Sequence, residues 1–491
     1  MQGQGQERAP SRIVTEDYSL GFNVPDGLMP DSQFNGLDAE IQVHRIKPEW
    51  DPGQRPSSVP AVVLIHGRTV PGPVLFDLQY PAPGGGDLSL QRALAQAGID
   101  TFAPSLLGYG LSTRFTNGLN DPGNASLRPI PPGATSCPPE YPEGCDRTLI
   151  AGINPLDQQG TMLLVNPLLE LTGGQRRKHS SNFRFARTDV WVRDIDEVIE
   201  DALQRARPTD GKVALVGYSL GGQHVGRTLH APNPFSVSGQ LQPRPETIAK
   251  VSRLVFVNSL FDTEGPTNEP PGVSVPTFPL TLNDRLGSDV NWRMQGEPLG
   301  CEAACSGHII PGTQERVWCQ TLEQETLGRR WGGDNPNFPT GLNRAPTFSG
   351  YGWTREVAEK LNKDTLVMQG LEDTVVPTGV GSGRAIYRYL HTGLDLPPPA
   401  MPNKVLVQVQ CASHALVWEG CAGELCTPAP GTGTPYGKAP WGGAAPWHGP
   451  HATLKAALIE WIHDGKFNGQ ENGSFIVNES GVASPGPATA R

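Results

Sequence analysis

The chain has no basic run. Lysine and arginine total 39 against 49 aspartates and glutamates, a formal net charge of −10 at pH 7. That balance argues against nucleic acid and anionic membrane surfaces as partners, because both are gripped by clustered positive charge. No apolar run approaches the roughly 18 residues that a membrane span needs. No Cys-x-x-Cys occurs and no His pair matches the cysteine spacing, so no metal site is expected. No internal repeat is apparent. The opening Met1-Gln2-Gly3-Gln4-Gly5-Gln6 is polar and lacks the apolar stretch of a secretory leader.

What is present is a large apolar reserve. The chain has 491 residues, 37% of them hydrophobic. It can hold one elaborated catalytic domain or up to about three small ones. With 59 glycines and 49 prolines, it should carry long ordered loops on a scaffold, since apolar strand-like segments recur throughout. The eight cysteines are Cys137, Cys145, Cys301, Cys305, Cys319, Cys411, Cys421 and Cys426. Their even number fits up to four disulfides and an oxidising compartment. Cys137–Cys145 and Cys421–Cys426 are expected as local bridges in Gly/Pro-rich loops, with the other four supplying two more. A mature secreted protein is therefore expected. The sequons at Asn124, Asn472 and Asn478 matter only in a host that glycosylates.

Residues 12–24 and 39–46 alternate apolar and polar, as half-exposed antiparallel strands do. Ala61-Val62-Val63-Leu64-Ile65 is continuously apolar, as a central parallel strand covered on both faces should be. Further strands are expected at Gly98–Pro104, Val213–Val216, Leu254–Val257, Leu366–Met368 and Lys404–Gln410. Helical spacing lies between them, most clearly from Thr188, where Val190, Val192, Ile195, Val198, Ile199 and Leu203 form one side. Three stretches interrupt the alternation: 113–187, 263–355 and 420–446. The expected layout is a core over 1–262, a cap over 263–355, a second core segment over 356–465 and a polar tail over 466–491.

The decisive stretch is Val213 to Gly222. A short buried strand ends in Gly217-Tyr218-Ser219-Leu220-Gly221, and a helical pattern follows at once. Glycines lacking Cβ let strand and helix approach around a serine in a strained turn. The helix end behind it offers free N–H groups and a positive dipole, which favour a developing oxyanion. Strand, Gly-x-Ser-x-Gly and helix together resemble the nucleophile elbow of the α/β-hydrolase family. The resemblance covers most of the chain as scaffold and leaves the three insertions outside. It implies an α/β fold with a mostly parallel eight-stranded sheet, helices on both faces and a cap insertion.

The remaining parts fall into place around that elbow. His66-Gly67-Arg68 follows the third strand, where the family carries its oxyanion loop. The resemblance implies that the N–H groups of Arg68 and Leu220 form the oxyanion hole, with His66 structural. Ser105-Leu106-Leu107-Gly108-Tyr109-Gly110-Leu111-Ser112 resembles a family turn that commonly begins with Asp. A serine hydroxyl needs a base, and the base needs an orienting carboxylate. The family order Ser, acid, His and the strand-end rule select Asp373 and His414. Asp262 and Glu372 stay open as acids, His448 and His451 as bases.

The implied activity is acyl transfer on a small-molecule or polymeric ester, in the manner of a secreted carboxylesterase or lipase, without cofactor. An aminopeptidase or amidase of the same fold is the alternative, as is a non-catalytic binding protein. Residues 263–355 are expected to form a lid over Ser219, with Trp292, Trp318, Trp331 and Trp353 lining the pocket.

Overall fold

The computed structural model describes residues 9–28, 34–81, 87–113, 129–130, 146–150, 188–230, 245–264, 280–283, 312–325, 343–346, 352–376, 382–397, 400–420, 449–478 and 481–487. Its centre is one sheet built from β1 (Arg12–Asn23), β2 (Asp38–Glu49), β3 (Ala61–Ile65), β4 (Asp100–Ser105), β5 (Val213–Tyr218), β6 (Val251–Val257), β7 (Thr365–Gly370), β8 (Lys404–Val409), β9 (Gly473–Val477) and β10 (Ala483–Pro485). The spatial order is β1-β2-β4-β3-β5-β6-β7-β8-β9-β10. From β4 through β9 every neighbouring pair is parallel, while β1–β2, β2–β4 and β9–β10 are antiparallel.

The sheet has ten strands rather than the expected eight, and the difference lies in the presumed tail. Residues 473–485 supply β9 and β10. Phe475 and Val477 point inward while their neighbours are partly exposed, and Phe475 packs 5.1 Å from Phe467, ring centre to ring centre. Burying those two side chains and pairing the edge of β8 outweighs the polar composition of the segment.

Among the described residues, the helices on the two faces include α1 (Leu90–Gln96), α2 (Thr188–Ala206), α3 (Leu220–His230), α4 (Thr313–Glu323), α5 (Gly383–Tyr389) and α6 (Pro450–Asp464). Strand alternation divides the apolar side chains between two cores. Val63 and Ile65 of β3, Leu215 of β5 and Phe256 of β6 face α2, α3 and α5. Val62, Leu64, Val216 and Val257 face α1 and α6. Caps fix the helix ends. The Ser89 hydroxyl accepts the Arg92 N–H at 3.0 Å, while α6 starts with Pro450 and ends at left-handed Gly465. No helix among the described residues is long and apolar enough to cross a membrane.

The described parts of 263–355 are attached to the core. Gln320 of α4 donates to the Asp77 carbonyl at 3.0 Å, and Trp318 is buried. Trp353 stacks on Phe256 at 4.7 Å, and a Cβ on Gly226 would stand 2.4 Å from its ring. Trp353 thus belongs to the core between α3 and β6. Trp292 and Trp331 lie outside the described residues. Cys319 is a free, exposed thiol, which corrects its expected disulfide. Removing one thiol from eight leaves an odd number, so within one chain at most three bridges can form. Cys137, Cys145, Cys301, Cys305, Cys421 and Cys426 lie outside the described residues, as do most of 113–187 and 420–446.

Candidate active site

The fold delivers its chemistry to the C-terminal ends of the parallel strands. Ser219 follows β5 with φ 53°, a left-handed conformation that costs a non-glycine residue about 1–3 kcal/mol. Close packing enforces it. A Cβ on Gly217 would meet the Gly222 Cα at 2.6 Å, and one on Gly221 would meet the Ile65 carbonyl oxygen at 2.3 Å. A Cβ on Gly67 would stand 3.0 Å from the Ser219 Cβ. Glycine is therefore required where helix, strand and loop converge on the serine.

Asp373 lies three residues beyond β7, in a turn that binds its carboxylate firmly. Its Oδ1 accepts the N–H groups of Val375 and Val376 at 2.9 and 2.8 Å. Its Oδ2 lies 3.3 Å from the Gln369 amide and 2.9 Å from His414 Nδ1. His414 Nε2 lies 3.0 Å from Ser219 Oγ. A carboxylate oxygen accepts, so Nδ1 carries the proton and Nε2 receives the Ser219 hydroxyl. All three side chains are buried, and the Tyr218 ring packs against the imidazole at 5.5 Å.

The structure thus brings Ser219, Asp373 and His414 into one hydrogen-bonded series. It places the alternatives elsewhere. Asp262 is exposed, and its N–H bonds the Trp353 carbonyl. Glu372 is half-buried, its N–H bonding the Ala412 carbonyl. His451 Nδ1 bonds the Val417 carbonyl at 2.6 Å, and burial pushes its pKa down to about 3. His448 lies outside the described residues.

Beside the serine, Gly67 and Arg68 continue from β3. His66 donates from Nδ1 to the Gly67 carbonyl at 2.7 Å and accepts the Leu106 N–H on Nε2 at 3.0 Å. Burial lowers its pKa to about 4, so it stays neutral and joins the loops after β3 and β4. Burial also lowers the pKa of the Arg68 guanidinium. Leu220 is the first residue of α3, where an N–H has no acceptor within the helix. The turn starting at Ser105 is braced by α2. Asp194 Oδ2 accepts the Leu107 N–H at 2.8 Å, and burial raises the Asp194 pKa to about 6.

Two neighbours of this series escaped sequence reasoning. Asn258 bonds the backbone of the His414 loop, and buried Glu419 accepts the Ser413 N–H. No local pattern marks either one; their partners are assembled by the fold. Among the described residues no group of three or more His, Cys, Asp or Glu side chains is arranged to hold a metal.

A family model described as the alpha/beta hydrolase fold matches residues 60–420. The chain belongs to the α/β-hydrolase fold family. In this hydrolase, the match takes in β3 through β8, while β1 and β2 precede it and β9 and β10 follow it. No curated protein matches. Among solved structures, the chain is similar to a bromoperoxidase from Bacillus anthracis at 15% identity, over 79% of this chain and 92% of that one, with TM-score 0.34. It is similar to a serine hydrolase from the polyaromatic hydrocarbon-degrading bacterium Cycloclasticus zankles at 12% identity, over 83% and 93%, with TM-score 0.37. It is also similar to an esterase from Rhodococcus sp. ECU1013 at 13% identity, over 78% and 90%, with TM-score 0.36.

Proposed function

We propose that this α/β-hydrolase is a serine esterase acting through an acyl-enzyme. Ser219 attacks the ester carbonyl while His414 Nε2 takes its proton. The imidazolium then returns that proton to the departing alkoxide, releasing the alcohol and leaving the acyl group on Ser219. Water attacks the acyl-enzyme with the same proton relay and releases the acid. Asp373 holds the tautomer and stabilises the imidazolium. The Arg68 and Leu220 N–H groups receive the oxyanion. The observation that carries this reading is the unbroken series from Asp373 through His414 to Ser219, with heavy-atom distances of 2.9 and 3.0 Å.

We place substrate selection in residues 263–355. Asn343 from that stretch donates to the Thr69 carbonyl at 2.7 Å, one residue beyond Arg68. The cap is thereby tied to the oxyanion loop. The cysteine usage supports a secreted protein with disulfides.

The test is labelling with a fluorophosphonate followed by turnover of short and long p-nitrophenyl esters beside peptide anilides. Ser219→Ala should abolish labelling and lower ester turnover by about 10⁴-fold or more. Near-normal turnover in that variant removes the serine mechanism. A higher kcat/KM on anilides than on every ester moves the activity to the peptidases.

A further inference from the structure

Resting on the serine-hydrolase reading, we propose that Asn258 is a positioning residue for His414. Asn258 directly follows β6, is fully buried and has φ 44°. Its Nδ2 donates to the carbonyls of Ser413 and His414 at 3.0 and 3.2 Å. Its Oδ1 accepts the N–H of Gly370 at 2.8 Å. Two carbonyl oxygens on one side and an N–H on the other fix which way the amide faces.

The geometry gives this amide a particular task. Gly370 ends β7, three residues before Asp373. His414 sits on a turn beyond β8, with no regular element to hold it. Asn258 therefore joins the strand that carries the acid to the turn that carries the base. The two segments are already close, since a Cβ on Gly370 would meet the Ala412 carbonyl oxygen at 2.4 Å. From the other side the Glu419 carboxylate accepts the Ser413 N–H at 3.0 and 3.1 Å, and the Ser413 hydroxyl donates to it. The Ser413–His414 segment is gripped on its carbonyls by one residue and on its N–H by another. Asn258 is itself placed by its own N–H, which donates to the Met368 carbonyl of β7 at 2.9 Å. An asparagine tolerates the left-handed conformation better than most residues, which suits it to this corner.

A residue that merely satisfied buried carbonyls would affect stability alone. A positioning residue affects the distance between His414 Nε2 and Ser219 Oγ. Two variants separate these roles. Asn258→Asp keeps the shape and the acceptor for Gly370 but cannot donate. Asn258→Gly keeps the backbone conformation and adds no charge; it decides the question if the aspartate variant does not fold. Each is compared with the wild type for thermal midpoint, fluorophosphonate labelling rate, kcat and KM on p-nitrophenyl acetate, and the downfield proton resonance of His414 Nδ1–H.

In the folded variant, labelling and kcat should fall by about 100-fold, the scale of an ångström-sized misplacement, while KM moves little. The downfield resonance should broaden or vanish. Labelling and kcat within about threefold of wild type, with the resonance intact, overturn the proposal even if the thermal midpoint drops. If folded wild type takes no label, the serine mechanism fails. The resonance then decides alone: its loss in the variants upholds the link from Asn258 to His414, and its persistence ends it.

Discussion

Gly221 and Gly222 lie side by side in the first turn of α3, and the structure predicts opposite behaviour for them in a double-mutant test. A Cβ on Gly222 would stand 1.9 Å from Ser259 Oγ and 2.6 Å from Ser259 Cβ. The hydroxyl can rotate away, but the Cβ is fixed to the backbone, so Gly222→Ala overpacks the site. Its expected cost is the upper end of the usual range, about 3 kcal/mol. Both obstructing atoms belong to one side chain. Ser259→Gly removes them and costs about 1 kcal/mol by itself through backbone entropy. In the double variant the alanine methyl fills the vacated space, so the cycle should show about 2 kcal/mol of favourable coupling. Gly221→Ala meets the Ile65 and His66 carbonyl oxygens at 2.3 and 2.5 Å. No side-chain deletion relieves that contact, because the obstacle is the backbone of β3 and its loop. Urea unfolding followed by tryptophan fluorescence measures all four proteins. Gly222→Ala costing under 1 kcal/mol, or a cycle without coupling, refutes the packing account of the elbow.

Acid should destabilise the protein steeply. His66, His224, His230, His391 and His451 have pKa values lowered by burial to between about 3 and 4. A histidine whose folded pKa lies below its unfolded value stabilises above pH 6.5, and that stability is lost as pH falls toward 4. Each proton taken up on unfolding contributes about 1.4 kcal/mol per pH unit, so five give roughly 6–7 kcal/mol per unit near pH 5.5. A urea midpoint flat from pH 7 to 5 refutes it. His44 works in the opposite sense. Although burial opposes its charge, hydrogen bonds to Asp17 and Asp77 raise its pKa to about 9, so its contribution is present below pH 6.5 and lost as pH rises through 9. His44→Gln should lower stability at pH 6 more than at pH 10, by differential thermal scans. Phe475→Ala should cost about 3 kcal/mol, as the loss of a buried aromatic does; an unchanged urea midpoint would return residues 473–485 to the status of a tail.

The elbow was legible because every part of it is local. Strand, glycines, serine and the first turn of the helix occupy ten consecutive residues, Val213 to Gly222, and each is required by the next. The choice of Asp373 over Glu372 was legible more weakly. Adjacent carboxylates leave a turn in different directions, and the register of β7 decides which one faces His414. Asn258 was not legible at all. Its partners stand 155 and 156 residues away, and a lone asparagine after a strand carries no signal until the sheet places Ser413 and His414 beside it. Nor were β9 and β10, because five and three residues with only Phe475 and Val477 fully inward are too short for periodicity to stand out from loop. What recruits them is the open edge of β8, which no local pattern describes.

That edge bears on the site as well. Along the sheet, one residue just past each strand donates its N–H to the end of the next strand. Ser219 donates to Val257, Asn258 to Met368, Leu371 to Val409 and Gln410 to Val477. The parallel ladder therefore runs on beyond β5, β6, β7 and β8 into the loops that carry Ser219, Asn258, Asp373 and His414. Thr69, Ser219, Asn258 and Cys411 hold positive φ without being glycine, all within four residues of a strand's C-terminal end. Strained residues persist where their surroundings over-determine them. For Ser219 and Asn258 a neighbouring strand supplies the constraint directly, and for Thr69 the bond from Asn343 supplies it. Cys411 follows Gln410, whose N–H is held by β9. The positions of the serine and the histidine are thus properties of the whole sheet, and its last link is the pair of strands that the sequence disguises as a tail.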